Sequence, residues 1–379
     1  MVQWPLESRG AKNPGMANLR AFLVFAAGLL LTAPAPGQSL RDLMTDDEDG
    51  RFDVSELLFA RPLSFLPIPI VITEPALGYG GGLVPVFFHE PPDRSSGQLV
   101  TPSVSVLAGF LTSDGSQGGG GGHFHSWKSD TWRALGFAGR ASLELESAGI
   151  RGDSSLEYSI DTDFLLLEGS RKVTDRTRLG LRYIYAESEV GFQESESDFS
   201  ISGGSAVGGL GLFLGFDTRD SMVSPRKGHR VDLRPAYFSE AFGGDFDYVR
   251  IDTLYTGYWK RDPLTFALRL DANWIEDEAP FYAKPYIALR GVPVMAFLGD
   301  QVLSAEPEID WNITSRWALV AFAGAGRTTN ESRNSEVYSG GVGFRYLLAR
   351  VLGLQAGLDF AWSSEGDSAF YIVMGSPWL

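Results

Sequence analysis

Apolar and polar residues alternate with a period of two along most of the chain after residue 63. In 264–274 every second side chain is apolar, and those between are mostly polar or charged. Side chains two apart on a β-strand share a face, so this pattern predicts a strand with one apolar face and one polar face. The segments 230–237 and 354–363 show the same alternation.

The alternation predicts sixteen strands. They cover 63–73, 79–88, 100–113, 119–127, 132–146, 155–168, 177–189, 206–217, 228–239, 247–260, 264–276, 300–311, 316–328, 337–348, 354–364 and 369–379. Toward the C-terminus, connections after even-numbered strands are short (260–264, 312–316, 349–353) and those after odd-numbered strands are long (239–247, 327–336 and above all 277–299). This arrangement is typical of bacterial barrels with both termini on one side of a membrane.

A soluble β-sandwich also alternates, but its strands are shorter. Most predicted segments reach the ~9–11 residues that a tilted strand needs to cross a bilayer, whereas globular strands cluster near five or six. Aromatic residues often end the apolar faces, as membrane-interface girdles require. They include Trp259, Trp274, Trp311, Trp362 and Tyr185. The length and the aromatic ends favour strands that cross a membrane.

Charged residues on the other strand faces must then line a polar lumen. Arg269 and Asp271 are examples, because a lipid-facing arginine at the bilayer midplane costs ~2–4 kcal/mol. No stretch after residue 38 approaches the ~18 consecutive apolar residues of a transmembrane helix. The predicted fold class is all-β, a transmembrane antiparallel β-barrel of sixteen strands over 63–379.

Composition excludes several kinds of chemistry. The chain has no cysteine, so disulfides, thiolate metal sites and a cysteine nucleophile are excluded. Its net charge of −15 makes nucleic acid a poor partner, since phosphate binding needs an extended basic surface. The glycine run 118–122 lacks the lysine of a phosphate loop, and no G-x-S-x-G motif is present. We therefore predict no enzyme activity, no catalytic residue, no cofactor and no metal site.

Two histidines could still form a metal pair. His123 and His125 would lie on the same face of a strand. Their glycine neighbours and the lack of a nearby acidic ligand favour a role in the lumen or in a loop instead.

The first 37 residues have the features of an export signal. The basic start at Asn18-Leu19-Arg20 precedes an apolar run over 21–33 and a small-residue exit over 34–37. That run is shorter than the ~20 residues of a membrane-spanning helix. Met16 is the expected start, with cleavage after Gly37. Residues 38–62 are predicted to be an acidic periplasmic lead-in, typical of a solvated tail, with a cation site as the alternative.

Three groups of residues resemble one family, the bacterial surface-antigen barrels of the BamA/TamA type. Leu289-Arg290-Gly291-Val292 resembles its Arg-Gly loop motif, with Val292 in place of the usual aromatic. The strand connection Asp217-x-Arg219-Asp220, followed by Pro225 and Gly228, resembles the family's Asp-x-Arg-Asp and Pro-x-x-Gly pattern. The segments 341–346 and 358–360 and the closing Gly375-Ser376-Pro377-Trp378 resemble the last three strands of the family. The likeness covers roughly 206–379, and the earlier part only in architecture.

The resemblance implies that the long connection folds back into the barrel and that Arg290 there meets acidic residues of the lumen wall. Alternation supplies candidates, because Glu306, Glu308 and Asp310 would all face inward on the next strand. A guanidinium can bind a carboxylate through two parallel hydrogen bonds. The alternative is a solvated Arg290 in an external loop, with the carboxylates lining a wet channel.

Two departures from the family pattern limit what it implies. Gly324 stands where the family often has an aspartate, so the carboxylates around Arg290 must be Glu306, Glu308 or Asp310 alone. The short lead-in also leaves no room for the periplasmic POTRA domains that assembly members carry. Capture of a client in the periplasm would therefore need a separate partner.

Two functions remain open at this point. The first is an assembly-type barrel in the outer membrane of a Gram-negative bacterium that assists insertion or export of protein or lipid. It would contact lipid, lipopolysaccharide and client outer-membrane proteins. Its motivation includes a closing strand interrupted by Gly375 and Pro377 before Trp378, which would weaken the seam with the first strand. The second is a passive pore or structural surface barrel without assembly activity.

Overall fold

The computed structural model describes residues 44–56, 64–73, 76–89, 103–147, 156–194, 200–276, 278–330, 334–351 and 353–378. The predicted export signal (1–37) and the ends of the lead-in lie outside the described residues. No helix in the described part is long and apolar enough to cross a membrane.

Sixteen strands form one antiparallel sheet in which each strand pairs with the next along the chain. They are β1 (Ser64–Ile72), β2 (Gly80–Phe88), β3 (Val104–Thr112), β4 (Gln117–Trp127), β5 (Trp132–Ser147), β6 (Leu156–Lys172), β7 (Thr177–Glu194), β8 (Ser200–Asp217), β9 (Lys227–Phe238), β10 (Tyr248–Arg261), β11 (Leu264–Ile275), β12 (Gln301–Asn312), β13 (Trp317–Thr329), β14 (Asn334–Ala349), β15 (Leu354–Ser363) and β16 (Ser368–Met374). Two single-turn 3₁₀ helices, Glu240–Phe242 and Phe281–Ala283, lie in connections. The sheet curls into a nearly closed barrel, which confirms the predicted fold class.

Strand boundaries follow the prediction closely, with differences at a few ends. β8 begins at Ser200 rather than at 206, and β14 begins at Asn334 rather than at 337. The connection between β13 and β14, predicted to be long, is therefore short. The last strand ends at Met374, because Gly375 adopts a positive φ of 77° that leaves the extended conformation.

The predicted alternation of faces is confirmed on β12. Leu303, Ile309 and Trp311 lie on the outward face and are exposed, whereas Glu306 and Glu308 are buried inside. Backbone hydrogen bonds across the ladders satisfy the strand N–H and C=O groups, so each strand can present one apolar and one polar face. Inside, Arg269 pairs with Asp271 at 2.8 Å as expected.

The barrel has two distinct ends. We call the end where even-numbered strands finish the turn end, and the opposite end the loop end. The connection from β11 to β12 starts at the loop end and folds into the barrel. Its residues Ile287, Leu289 and Val292 form a buried cluster with Val302 and Val337 of the wall. The inward-folded loop is thus confirmed.

The lead-in is bound to the turn end. Arg316, in the turn after β12, forms ion pairs with Asp46, Asp49 and Asp53 at 2.8, 2.6 and 2.6 Å, and its side chain is only 1% exposed. Val54 donates its N–H to the Leu348 carbonyl at 2.9 Å. The expectation of a solvated tail is wrong for 44–56, because the acidic run has basic partners elsewhere in the chain. We call this contact the lead-in latch.

The acidic lead-in had a cation site as its alternative interpretation, and Arg316 supplies the positive charge that its carboxylates bind. Its guanidinium occupies the point at which the three carboxylates converge. Burial tends to raise the pKa of Asp53, but hydrogen bonds from Ser55 and Arg316 outweigh it and hold that pKa below the usual range. A hydrogen bond from Arg316 lowers the pKa of Asp49 in the same way. Asp49 and Asp53 are therefore charged at neutral pH, where they bind Arg316.

The seam between β1 and β16 differs from the other strand junctions. Within the described residues no backbone ladder joins the two strands. The side chain of Thr73, just beyond β1, forms the contact: its hydroxyl donates to the Phe370 carbonyl and accepts from the Phe370 N–H, the latter at 2.9 Å. One side chain thus replaces the row of main-chain bonds found elsewhere.

Candidate functional site: the arginine cluster inside the barrel

Arg290 lies at the centre of a buried charge cluster inside the barrel. Its Nη2 is 2.8 Å from Glu306 Oε1 and 2.6 Å from Glu308 Oε2, and its Nη1 is 2.6 Å from Asp359 Oδ2. The backbone N–H of Arg290 also donates to Glu306 Oε2 at 3.1 Å. Two of these carboxylates come from β12 and the third from β15, so one loop residue joins two parts of the wall.

Two of the three predicted carboxylate partners meet Arg290, and the third does not. Asp310 lies inward on β12, but no ion pair to Arg290 is present, and its Oδ1 has no hydrogen-bond partner. Asp359 takes its place. The statement that the partners must be on β12 alone is wrong, because the closed sheet brings β15 within reach of the folded loop. Alternation places Asp359 inward in 354–363, but it does not reveal which inward residues meet across the lumen.

A second arginine shares Asp359. Arg345 Nη2 donates to Asp359 Oδ2 at 2.9 Å. The two guanidiniums face three carboxylates in contact with them, and Asp310 adds a fourth nearby on the same strip. Buried charges are tolerated when they are paired and hydrogen-bonded, and removing one partner leaves the others uncompensated.

Aromatic rings enclose the guanidinium of Arg290. Its Cζ lies 3.5 Å from the centroid of the Phe322 ring and 5.8 Å from that of Trp378. Trp378 also donates its indole N–H to Glu306 Oε1 at 2.8 Å. Rings that stack on a guanidinium exclude water and strengthen the ion pairs.

Glycines of β13 allow the loop to approach the wall. A Cβ on Gly324 would lie 2.5 Å from Ser339 Oγ and 3.1 Å from a Leu289 methyl, and one on Gly326 would lie 2.5 Å from an Ile287 methyl. The residue that replaces the family's aspartate therefore makes room for Leu289. Gly291, with a φ of 88°, lies against the backbone of Trp362 and donates its N–H to Tyr371 Oη at 2.9 Å.

The predicted strand-connection motif lies at the turn end, away from Arg290. Asp217 binds Arg219 at 2.8 Å, and Asp220 Oδ1 accepts from the backbone of Arg226 and Lys227. Pro225 is buried, and Gly228 has a φ of 97°, where an added Cβ would collide with the Thr218 carbonyl oxygen. These contacts fix the shape of the connection from β8 to β9.

This connection holds the C-terminal residues. The Ser376 N–H donates to the Val223 carbonyl at 2.7 Å, and the Ser376 hydroxyl lies 3.1 Å from Tyr258 Oη. Gly375 and Pro377 follow β16 rather than interrupting it, and Trp378 is buried in the lumen beside Tyr258. Ser376 and Trp378 thus anchor the end of the chain inside the barrel, whereas Gly375 and Pro377, which were predicted to weaken the pairing of the last strand, lie beyond that strand.

The histidine pair faces outward. His123 and His125 are exposed on the face that also carries Leu107 and Trp127, so the predicted lumen or loop role is wrong. Their Nδ1 atoms bond to Ser105 and Ser103, each at 2.9 Å. No group of three or more histidine or acidic side chains arranged for a metal ion is found in the described part of the chain.

The cluster holds the folded loop against β12 and β15 through ion pairs. The positions of Arg290 and its partners depend on the loop being inside, and withdrawing the loop would leave three carboxylates together. Arg290, Gly291, Glu306 and Glu308 were predicted from sequence. Asp359, Phe322 and Trp378 were not predicted as partners. The alternation of their strands does place Asp359 and Phe322 inward, and Trp378 stands out in the sequence as a tryptophan at the end of the chain.

Solved structures share this fold. BamA from Haemophilus ducreyi, in a form lacking POTRA domains 1–3, is 12% identical and superposes with a TM-score of 0.56 over 83% of this chain and 70% of that chain. CdiB from Escherichia coli is 10% identical, with a TM-score of 0.57 over 83% of this chain and 62% of that one. CdiB from Acinetobacter baumannii is 10% identical, with a TM-score of 0.55 over 82% and 59%.

The sequence comparisons are negative: no family model and no curated protein matches the chain. The chain spans less than two thirds of either CdiB chain. At these identities the likeness shows the fold alone. The protein has the barrel fold of BamA and CdiB.

Proposed function

We propose that the protein is an outer-membrane barrel that assists insertion or export of protein or lipid, with the seam between β1 and β16 as the exit toward lipid. The observation that carries the proposal is the seam itself, where Thr73 forms the contact in place of a ladder. A junction with few main-chain hydrogen bonds opens at lower cost than any other junction in the sheet.

The outward surface supports a membrane location. Its exposed apolar side chains include leucines on β7 and β8, such as Leu181 and Leu212. Tryptophans lie near both ends of the strands, with Trp259 and Trp311 at the turn end and Trp274 and Trp362 at the loop end. Two aromatic rows around an apolar band are typical of outer-membrane barrels. Bacterial barrels have their short turns on the periplasmic side, so we assign the turn end to the periplasm.

The anchoring of the chain end suggests which strand moves. β16 is paired with β15 along its length, and Ser376 and Trp378 fix the following residues inside. β1 has a ladder on one side only, with β2. Opening the seam should therefore move β1 and β2 while β16 stays in place. Lipid, lipopolysaccharide and client outer-membrane proteins would be the partners, delivered by a separate periplasmic protein.

Cysteine crosslinking tests the proposal, and the natural chain has no cysteine to interfere. Thr73→Cys with Phe370→Cys would lock the seam. Val71→Cys with Gly81→Cys is the matched control, because these residues pair between β1 and β2, and a Cβ at Gly81 meets no close atom. Both pairs are introduced into a deletion strain, and the abundance of other outer-membrane proteins and lipids is measured with and without reductant.

The seam-locked variant should reproduce the deletion defects, and reductant should reverse them. The β1–β2 crosslink should have no effect. If the locked seam restores every wild-type property, the assembly proposal is wrong.

A passive or structural barrel is the second candidate. The anchoring of the C-terminal residues favours it, because Trp378 and Ser376 make the closing side of the seam rigid. The lumen is crossed by the folded loop and its cluster, so a structural barrel would conduct little current. Planar-bilayer recordings test the pore version: the absence of a steady current from the pure protein would remove it.

A further inference from the structure

A cavity of about 470 Å³ lies inside the barrel between β5–β10 and the folded loop. It is separate from the Arg290 cluster, which lies against β12, β13 and β15. Its volume is within the roughly 300–1,000 Å³ of small-molecule sites. Sequence analysis singled out none of its residues, and the proposed assembly function does not use them.

Small residues on adjacent strands make the room. The pairing registers place Arg182, Gly211, Ala236 and Arg250 in one row across β7–β10. The two arginines are thus separated by residues with little or no side chain. Arg234, two positions before Ala236 on β9, lies on the same inward face. Three guanidiniums therefore line one part of the cavity.

The acidic partners of these arginines do not balance them. Arg182 pairs with Glu168 at 3.1 Å and Arg250 with Asp252 at 2.9 Å. Asp232 accepts from both Arg234 and Arg230, at 2.6 and 2.7 Å. Four arginines thus share three carboxylates. The buried Nε atom of Arg234 has no hydrogen-bond partner in the described structure, whereas the Nε atom of Arg182 is the one that lies 3.1 Å from Glu168 Oε2.

The next row toward the loop end is apolar. Ile184, Gly209, Phe238 and Tyr248 are in register there, and the Phe238 and Tyr248 rings stack with centroids 4.5 Å apart. Tyr282 of the loop covers this part, held by its hydroxyl at 2.6 Å from Ser205 Oγ. The cavity thus has a cationic part and an apolar part, arranged along the barrel axis.

We propose that this cavity binds one amphiphilic anion, a single acyl chain with a carboxylate or phosphate head group. The head group binds Arg182, Arg234 and Arg250, because guanidinium forks match the geometry of both anions. The chain packs among Ile184, Phe238 and Tyr248, where it leaves water. Arg250 also donates to the Ala283 carbonyl at 2.7 Å, so a ligand at this site contacts the group that holds the loop.

Photocrosslinking of the full chain in nanodiscs tests the proposal. The probe is a fatty acid with a diazirine in its chain, and labelled peptides are identified by mass spectrometry. Labelling should concentrate on the peptides that contain Phe238, Tyr248 and Tyr282. Unlabelled fatty acid or lysophosphatidylglycerol should compete, and which one competes better identifies a carboxylate or a phosphate head. Competition by inorganic phosphate but by neither amphiphile would overturn the proposal.

Three variants separate specific binding from insertion into the surrounding lipid. Arg234→Gln should reduce labelling of the cavity peptides several-fold, and Ala236→Leu should reduce it without a change in charge. Arg140→Gln is the control, since Arg140 is exposed and pairs with Asp163 at 3.7 Å on the outward face. The folded fraction is read from the shift in gel mobility on heating.

Labelling that is spread over outward-facing peptides and unchanged in Arg234→Gln and Ala236→Leu would overturn the proposal. Equal labelling by the uncharged methyl ester would do so as well. Neither result depends on whether the seam opens, so this proposal and the assembly proposal fail independently.

Discussion

At the scale of single residues, Arg290 is the charge that ties the folded loop to the barrel wall. Arg290→Ala would leave Glu306, Glu308 and Asp359 buried without their shared partner, and removal of one member of a buried pair costs about 3–5 kcal/mol. We expect the loop to loosen and to become sensitive to protease added to intact cells. Cleavage within 281–298 is measured over time, together with thermal unfolding of the pure protein.

Arg327→Ala is the control for this experiment. Arg327 pairs with Glu336 at 3.8 Å, and both side chains are about half exposed. Exposed pairs contribute about 0–1 kcal/mol, so this variant should behave like the wild type. Unchanged cleavage in Arg290→Ala would show that the ion pairs do not hold the loop.

Gly324 offers a test of packing without a change of charge. In Gly324→Ala the new methyl would lie 2.5 Å from Ser339 Oγ and 3.1–3.2 Å from the Leu289 methyls, so the Ser339 hydroxyl must move away and Leu289 must also shift slightly. We expect a loss of about 1–3 kcal/mol and a more protease-sensitive loop. Gly169→Ala is the control, because no atom lies within 4 Å of its Cβ position. Equal stability of the two variants would contradict the role given to Gly324.

Sequence analysis placed a residue correctly where the alternation within a single strand was enough to show which way its side chain points. The inward phase of Glu306 and Glu308 follows from alternation within β12. Asp359 could not be assigned to Arg290 in this way, since 69 residues and a closed sheet separate them. The role of Gly324 could not be predicted for the same reason. It depends on the contact that a larger side chain at this position would make with Leu289, and the sequence does not show that the two residues are close.

At the scale of elements, the lead-in latch should respond to acid. The pKa values of Asp49 and Asp53 are lowered in the folded protein by hydrogen bonds from Arg316 and Ser55. A lowered folded-state pKa stabilises the bound lead-in above the unfolded value of about 4, and this stability is lost as the pH falls through the folded value. The latch should therefore hold from neutral pH down to about 4 and release below it.

A spin label at Asp47→Cys can follow the release. Asp47 is exposed, and the nitroxide spectrum can be recorded at any pH. The label should be restricted at neutral pH and mobile in acid. Asp53→Asn should make it mobile at neutral pH. A label that stays restricted in acid would show that apolar contacts of Val54 hold the lead-in without the ion pairs.

The latch also shows why an element can be misread from sequence. The acidic run predicted a solvated tail because runs of like charge are usually exposed to solvent. Its partner Arg316 is 263 residues away from Asp53. The barrel strands were predictable because their pattern is local, repeated and tied to one physical requirement, an apolar exterior.

At the scale of the whole molecule, strand length is uneven around the barrel. β1 to β4 have 9–11 residues, whereas β5 to β8 have 16–18. The long strands exceed the ~9–11 residues needed to cross a bilayer and extend beyond it. The short strands include the glycine-rich β4 and lie beside the seam. The sequence predicted the sixteen strands and their faces, but not how far β7 and β8 extend at the loop end, since their outer ends have no requirement for lipid contact.

This unevenness predicts where the sheet opens. Amide exchange follows local opening, and a short ladder with a free edge opens more readily than a long ladder paired on both sides. We expect amides of β1 to β3 to exchange roughly tenfold or more faster than those of β6 to β8 in the same micelles or nanodiscs. β16 should be protected despite its place at the seam, because its ladder with β15 and the buried Trp378 fix it.

Mass spectrometry of peptides after timed exchange measures this directly, and Trp378→Ala tests the anchoring of β16. Loss of the Trp378 bond to Glu306 should raise exchange in β16 and leave β6 to β8 unchanged. Equal protection of β1 and β8 would mean that the seam is no weaker than the other junctions. Fast exchange in β16 of the natural chain would mean that both seam strands move, and the assignment of the moving side to β1 would be wrong.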